Sequence, residues 1–319
     1  MIVLATYGFL FYELFVKNKF SDLNLNILDT NLSIYILGVV FFLMPLNWGL
    51  ESVKWQFLIR KVEKIRVLTA FKAVLTGSAI SFFTPNRIGD FFGRVFILKK
   101  GDRIDGIFAT IIGNIGQLFI TLILGSTALL FFLPNINNAY LNFNNLSLIL
   151  IAILVILINL SLILVFLNIE ILHTFFSRFK FLERWRFVRH LKILQNFETR
   201  ELWKVLGLSL LRFLVYSFQF YLVFYSFGIP LPFLSGLLII FILFFTLTAV
   251  PTIAIAELGI RGLISLFVLK TFGPAELSIN IIEANVIAAS SALWLINLAI
   301  PAIFGTFFVY ELKFFRKND

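Results

Sequence analysis

Apolar residues dominate eight stretches of this chain, at 2–16, 33–50, 67–98, 105–132, 146–168, 205–227, 233–270 and 284–310. A transmembrane helix needs about 20 such residues, so six of the eight are read as full spans. The other two have a different pattern. The run 67–98 is too long for one span and too short for two, and Pro85, Arg87, Asp90 and Arg94 interrupt it. The run 233–270 has the same defect, with Pro251, Glu257 and Arg261 near its centre. Proline removes a backbone donor and breaks a helix, and breaks at membrane depth are tolerated only where protein or a water-filled cavity surrounds them. Each of these runs is therefore expected to be a re-entrant hairpin of two short helices. The run 2–16 lacks a basic n-region and a small-residue cleavage site, so it is read as a retained first span.

Composition supports the bilayer as solvent. Of 319 residues, 60% are hydrophobic and 14% charged, with a mean hydropathy of +0.97. Soluble domains carry roughly 25% charged residues, so an ordinary soluble enzyme and a disordered chain are both excluded. With no cysteine in the chain, disulfides, thiolate metal sites and cysteine nucleophiles are excluded as well. Only His173 and His190 are present, both in one basic stretch, so neither a metal site nor a cofactor is expected. The 41 phenylalanines are assigned to biased composition and lipid-facing packing.

Charge asymmetry orients the spans. Five cations (Lys54, Arg60, Lys61, Lys64, Arg66) cluster after the second run, and Lys99, Lys100 and Arg103 follow the third. Eight more fall in 169–204, and Lys313, Arg316 and Lys317 end the chain. The loops 133–145, 228–232 and 271–282 hold no Lys or Arg, and 17–31 holds only Lys17 and Lys19. The positive-inside rule then puts the first group and both termini in the cytoplasm. On this path the first hairpin enters from inside and the second from outside. That is the pattern of an inverted repeat within one membrane domain, 1–319, with halves at about 32–168 and 205–312. The segment 169–204 is expected to lie on the inner leaflet as a basic amphipathic helix. The net charge of +10 follows from this bias, and nucleic acid is not an expected partner.

The remaining cations lie in or beside apolar runs, where an ionisable group costs about 2.5–3.5 kcal/mol or more unless it faces a cavity or a partner. Asp90 and Arg94 are four residues apart, as are Glu257 and Arg261, and each pair follows a proline by a few residues. On a helix this spacing brings carboxylate and guanidinium together. Two readings are open: each pair staples its hairpin to a neighbour, or the arginines present their planar donor forks to a phosphate. Arg212 either lines the same cavity or snorkels to the inner interface. Asn114 and Gln117, three apart, either line the cavity or bond between helices.

Three motifs carry a resemblance to a known family: Glu51-x-x-Lys54-Trp55-x-x-Leu58, Thr84-Pro85-x-Arg87-x-Gly89-Asp90-x-x-x-Arg94, and Pro251-x5-Glu257-x-Gly259-x-Arg261. In these the chain resembles the lysylphosphatidylglycerol synthase transmembrane-region family, the flippase domain of bacterial multiple peptide resistance factors. The second hairpin departs from the family pattern, which is richer in glycine and proline where this chain has Ile253-Ala254-Ile255-Ala256. The resemblance implies a lipid-translocating domain with an internal cavity for a phospholipid or polyprenyl-phosphate headgroup. No aminoacyl-transferase activity is expected, because no soluble transferase domain is recognised in these residues.

The expected protein is thus an all-α integral membrane protein of the bacterial cytoplasmic membrane. It has about six full transmembrane helices and two opposed re-entrant helical hairpins, and it moves lipids with anionic or zwitterionic headgroups between leaflets. Expected substrate-binding residues are Arg87, Asp90, Arg94, Glu257, Arg261, Arg212, Asn114 and Gln117. A homodimer is left open. Two rivals stand beside this reading. A membrane-embedded transferase acting on a lipid-linked substrate would need ionisable groups on external loops, and 133–145 and 228–232 have none. An accessory subunit of an envelope-polymer pathway is the other.

Overall fold

The computed structural model describes residues 31–84, 87–136, 143–170, 191–250, 254–274 and 283–311. The run 2–16, both hinge prolines, His173 and His190, and the tail cations lie outside the described residues. Every regular element among the described residues is helical.

Five helices are long and apolar enough to cross a membrane. They are α1 (Asn31–Ile59), α4 (Arg103–Ile136), α5 (Asn145–Leu167), α6 (Thr199–Ser226) and α9 (Glu283–Phe308). At 1.5 Å per residue, the 29 residues of α1 extend about 43 Å, more than a hydrocarbon core of about 30 Å. The two interrupted runs divide into short helices. The first gives α2 (Val67–Ser81) and the seven-residue α3 (Gly89–Val95); the second gives α7 (Phe233–Thr248) and α8 (Ala254–Phe272).

Two helix boundaries differ from the sequence expectation, both through polar residues that a hydropathy pattern assigns to loops. Lys54 is not a loop cation: α1 continues to Ile59, and Lys54 is buried within it beside Trp55. Lys204 belongs to α6, which begins at Thr199. Of the segment 169–204, Leu191–Asn196 forms a short 3-10 helix, and residues 171–190 lie outside the described set. The start of α6 is fixed by a capping box. Glu198 accepts from the backbone N–H of Glu201, and the Glu201 side chain accepts from the Glu198 N–H in return.

The bundle closes where small residues let helices approach. A Cβ on Gly305 of α9 would lie 2.0 Å from the Leu75 carbonyl oxygen of α2, and one on Gly125 of α4 would lie 2.3 Å from Phe245 Cβ of α7. Within the first hairpin, Gly93 of α3 lies so close to Gly77 of α2 that its Cβ would come within 2.6 Å of the Gly77 Cα. The helices α1 and α6 pack side by side through the centre. By contrast, α5 leans on α4 with Phe166 as its one buried side chain, and the rest of its surface is apolar and suited to lipid tails.

Candidate functional site

Side chains at helical spacing put a polar stripe on α1, with Asn47, Glu51 and Lys54 on one face. Glu51 is the hub of a buried charge cluster. One carboxylate oxygen accepts from Arg94 Nη1 at 2.7 Å. The other pairs with Lys54 Nζ at 2.7 Å and with Arg212 Nη1 at 3.2 Å. Arg94 Nε donates to Asp90 Oδ1 at 2.7 Å, the i,i+4 pair expected from the sequence. Arg94 is available to Glu51 because α3 packs so closely on α2 at the Gly77–Gly93 crossing.

Arg212 enters from α6. Its Nε donates to Asn47 Oδ1 at 3.0 Å, its Nη1 lies 3.4 Å from Gln117 Oε1, and its guanidinium carbon is 5.7 Å from the Trp48 ring centre. This settles the choice left open by the sequence, since Arg212 faces inward and does not snorkel. Gln117 donates from Nε2 to the Ser209 carbonyl at 3.3 Å, so it both lines the interior and ties α4 to α6.

The second cluster gathers around Glu257 on α8. Arg261 Nη2 donates to Glu257 Oε1, again the expected i,i+4 pair, and Arg87 Nη2 donates to Oε2 at 2.5 Å. Arg261 Nη1 donates to the Tyr216 hydroxyl at 2.6 Å. The Arg87 contact joins the two proline-acid-arginine motifs, which sequence reasoning treats as separate entrances. Arg87 makes it from a left-handed backbone, φ 56°, a conformation costing an ordinary side chain on the order of 1 kcal/mol.

A third contribution comes from α9. Leu295–Ala299 forms a π-helical turn, and Pro301 has no N–H to offer the carbonyl four residues earlier, that of Asn297. Trp48 Nε1 donates to this carbonyl at 3.1 Å. The same turn brings the Asn297 side chain against Asn47, whose Nδ2 lies 3.4 Å from Asn297 Oδ1.

These groups surround two neighbouring cavities. The larger, about 670 Å³, is walled by Arg87, Arg212, Glu257 and Arg261 on its charged side. Gln117, Asn297 and aromatic residues including Trp48, Tyr216 and Phe244 complete it. The smaller, about 240 Å³, is lined by Glu51, Asp90, Arg94 and Asn114, and it shares Trp48, Arg87, Gln117 and Arg212 with the larger. Each of the eight expected site residues thus lines one cavity or both. The clusters contain five cations (Lys54, Arg87, Arg94, Arg212, Arg261) and three carboxylates (Glu51, Asp90, Glu257), a surplus of two positive charges. A pocket of this size, with polar groups converging on it among aromatic and aliphatic side chains, is suited to a small ligand.

Sequence reasoning did not include Glu51, Lys54, Asn47, Tyr216 or Asn297 among the site residues. For Glu51 and Lys54 the signal is a carboxylate and an ammonium at i,i+3, followed by a stretch to Ile59 that is apolar except for Gln56. No local pattern marks Tyr216 or Asn297, whose partners are 45 and 250 residues away.

A family model described as Lysylphosphatidylglycerol synthase TM region matches residues 2–284, so nearly all of α9 lies beyond the matched span. Comparison with curated proteins and with solved structures finds no match.

Proposed function

The chain belongs to the lysylphosphatidylglycerol synthase transmembrane-region family, and on that premise we propose that it is a lipid flippase. It moves the headgroup of a phospholipid or polyprenyl-phosphate-type lipid between the leaflets of the bacterial cytoplasmic membrane. It is a multi-pass membrane protein of a family associated with lipid-modifying or flippase function. The observation that carries the reading is the cationic cavity of about 670 Å³ inside a bundle whose outer face is apolar. Three arginines line that cavity against one carboxylate, so an anion entering it gains from a charge surplus already assembled.

Arg87 and Arg261, which share the Glu257 carboxylate on one wall, engage phosphate in the larger cavity and Arg94 does so in the smaller, while Asp90 and Glu257 hold the guanidinium groups in place. Arg212, Asn114 and Gln117 line the passage between them. The packing supports an inverted repeat of 32–168 and 205–312 with α2–α3 and α7–α8 as opposed hairpins. The α4 helix of the first half crosses α7 of the second at Gly125, and α9 of the second half crosses α2 of the first at Gly305. Both termini are cytoplasmic in this arrangement, and the role is non-catalytic. No nucleotide-binding motif occurs in the sequence, so a gradient, the membrane potential or removal of product drives the movement.

The test follows fluorescent phospholipid in liposomes containing the purified protein. Removing either guanidinium of a single path impairs movement in both directions, so Arg87→Gln and Arg261→Gln are expected to give matching defects. Full activity in a well-folded Arg261→Gln protein overturns this role of Arg261 and leaves the Glu257–Arg261 pair as a staple.

A further inference from the structure

We propose that the π-helical turn of α9 is a hinge on which the α2–α3 hairpin swings against α8, and that the Trp48 indole is the catch that holds this hinge in its present geometry. The proposal rests on the transport reading above and supplies its moving part.

The two parts of α9 are bound to different neighbours. Glu283–Trp294 is joined to α8 and to the end of α6: Ser290 Oγ donates to Ser265 Oγ at 2.9 Å, and Asn285 Nδ2 donates to the Phe227 carbonyl at 3.0 Å. Ile300–Phe308 is joined to α2 instead. There a Cβ on Gly305 would lie 2.0 Å from the Leu75 carbonyl oxygen and 3.0 Å from the Ala79 Cβ. A crossing packed this closely transmits displacement and does not absorb it. Any movement of α2 against α8 must therefore be taken up within α9.

The helix is weakest between those two parts. Across Leu295–Ala299 the Ile300 N–H bonds five residues back, to the Leu295 carbonyl. Pro301 withholds the N–H that the Asn297 carbonyl would receive in an α-helix. Helices bend where their ladder is interrupted by proline or a π-turn. The Asn297 carbonyl is met by Trp48 Nε1 at 3.1 Å, from α1. A buried carbonyl requires a partner, so this bond pins the turn against α1.

The surroundings of the turn suit a pivot. Asn47 Nδ2 of α1 reaches both Gln219 Oε1 of α6 at 3.5 Å and Asn297 Oδ1 at 3.4 Å. Contacts at the long end of the hydrogen-bond range give under a small rotation more readily than short ones do. Across the cavity, Arg87 of the first hairpin bonds to Glu257 of α8 at 2.5 Å. Arg87, Glu257, Trp48 and Asn297 all wall the larger cavity, so a swing at the turn parts or closes its charged side.

Spin labels on single cysteines replacing Leu68 of α2 and Phe267 of α8, both exposed and neither lining the cavities, read the swing in the full chain in liposomes. The native chain has no cysteine to interfere. Pulsed dipolar spectra are expected to show two separations. Pro301→Ala returns the missing N–H and should leave one. It should also slow the movement of fluorescent phospholipid about tenfold, the effect of one more backbone hydrogen bond to break at each bend. Trp48→Phe keeps an aromatic ring, removes the donor, and should shift the population toward the second separation. A single separation unchanged by either substitution overturns the proposal, as does slower movement in Pro301→Ala with an unaltered distribution. An unmoved population in Trp48→Phe removes the catch. If Pro301→Ala does not fold, the comparison of wild type with Trp48→Phe decides alone. Two separations that merge in Pro301→Ala, with no lipid movement in any variant, would support the hinge and remove the flippase reading. Lipid movement at the full rate through a protein with one separation would do the reverse.

Discussion

Replacing Glu51 with glutamine takes the charge from the hub of the buried network while keeping its shape. Glu51 and Lys54 are 2% and 1% exposed, and three cationic nitrogens stand 2.7, 2.7 and 3.2 Å from the Glu51 oxygens. Removing one partner of a buried ion pair typically costs about 3–5 kcal/mol, because the other charge is left uncompensated. The cost is not shared equally. Arg94 keeps Asp90 at 2.7 Å, and Arg212 keeps Asn47 at 3.0 Å and Gln117 at 3.4 Å. Lys54 has no other ion pair among the described residues, so the stranded charge is the Lys54 ammonium. Glu51→Gln is therefore expected to lose about 3–5 kcal/mol of stability. Glu51→Gln with Lys54→Met should recover about 2 kcal/mol or more, since that change removes the stranded charge and roughly conserves volume. The assay is reversible unfolding in mixed micelles followed by tryptophan fluorescence, with all four corners of the double-mutant cycle measured. A double variant no more stable than Glu51→Gln alone would show that Lys54 does not carry the penalty.

Two further outcomes test the fold. A native chain without cysteine permits clean labelling: a single cysteine at Asn137 should react with an impermeant thiol reagent from outside, and one at Gln195 should not, with reversal inverting the orientation. At the helix crossings, Gly305→Val and Gly125→Val should sharply lower the yield of monodisperse protein, since each Cβ would fall within 2.3 Å of a neighbouring helix. Gly207→Ala, with nothing within 4 Å of the added atom, should be neutral or stabilising by up to about 1 kcal/mol.

Length and hydropathy carry the fold because a bilayer requires each spanning helix to satisfy its own backbone. The pattern alone predicts all five described long helices, and also the two places where a run divides. It misplaces boundaries where a charged side chain is buried by pairing. Lys54 reads as the first cation of a loop, yet Glu51 one turn earlier neutralises it and lets α1 continue to Ile59. The i,i+4 pairs Asp90–Arg94 and Glu257–Arg261 are legible because helical geometry is local. The Arg87–Glu257 contact spans 170 positions, and nothing in either motif specifies that the hairpin breaks meet. Asn297 is illegible for another reason. Its place depends on Pro301 and a π-helical turn, which a hydropathy pattern records as one more stretch of apolar helix.

The distribution of unmet hydrogen-bonding capacity says more about this interior than its total charge does. Had the surplus arginines served only to bind helices together, each would be expected to exhaust its donors on carboxylates and carbonyls. Arg94 has both neighbours of that kind, Asp90 and Glu51, and lies in the smaller, more acidic cavity. Arg261 differs: two of its nitrogens bond to Glu257 and Tyr216, and Nε is left buried without a partner among the described residues. A buried unpaired donor costs about 1–3 kcal/mol or more for a charged group. A bundle held by staples gains nothing from that cost, whereas a site that releases its ligand must have such donors whenever it is empty. The paired charges therefore form the frame, whereas Arg261 and Asn297, both lining the larger cavity, hold buried donors with no partner among the described residues.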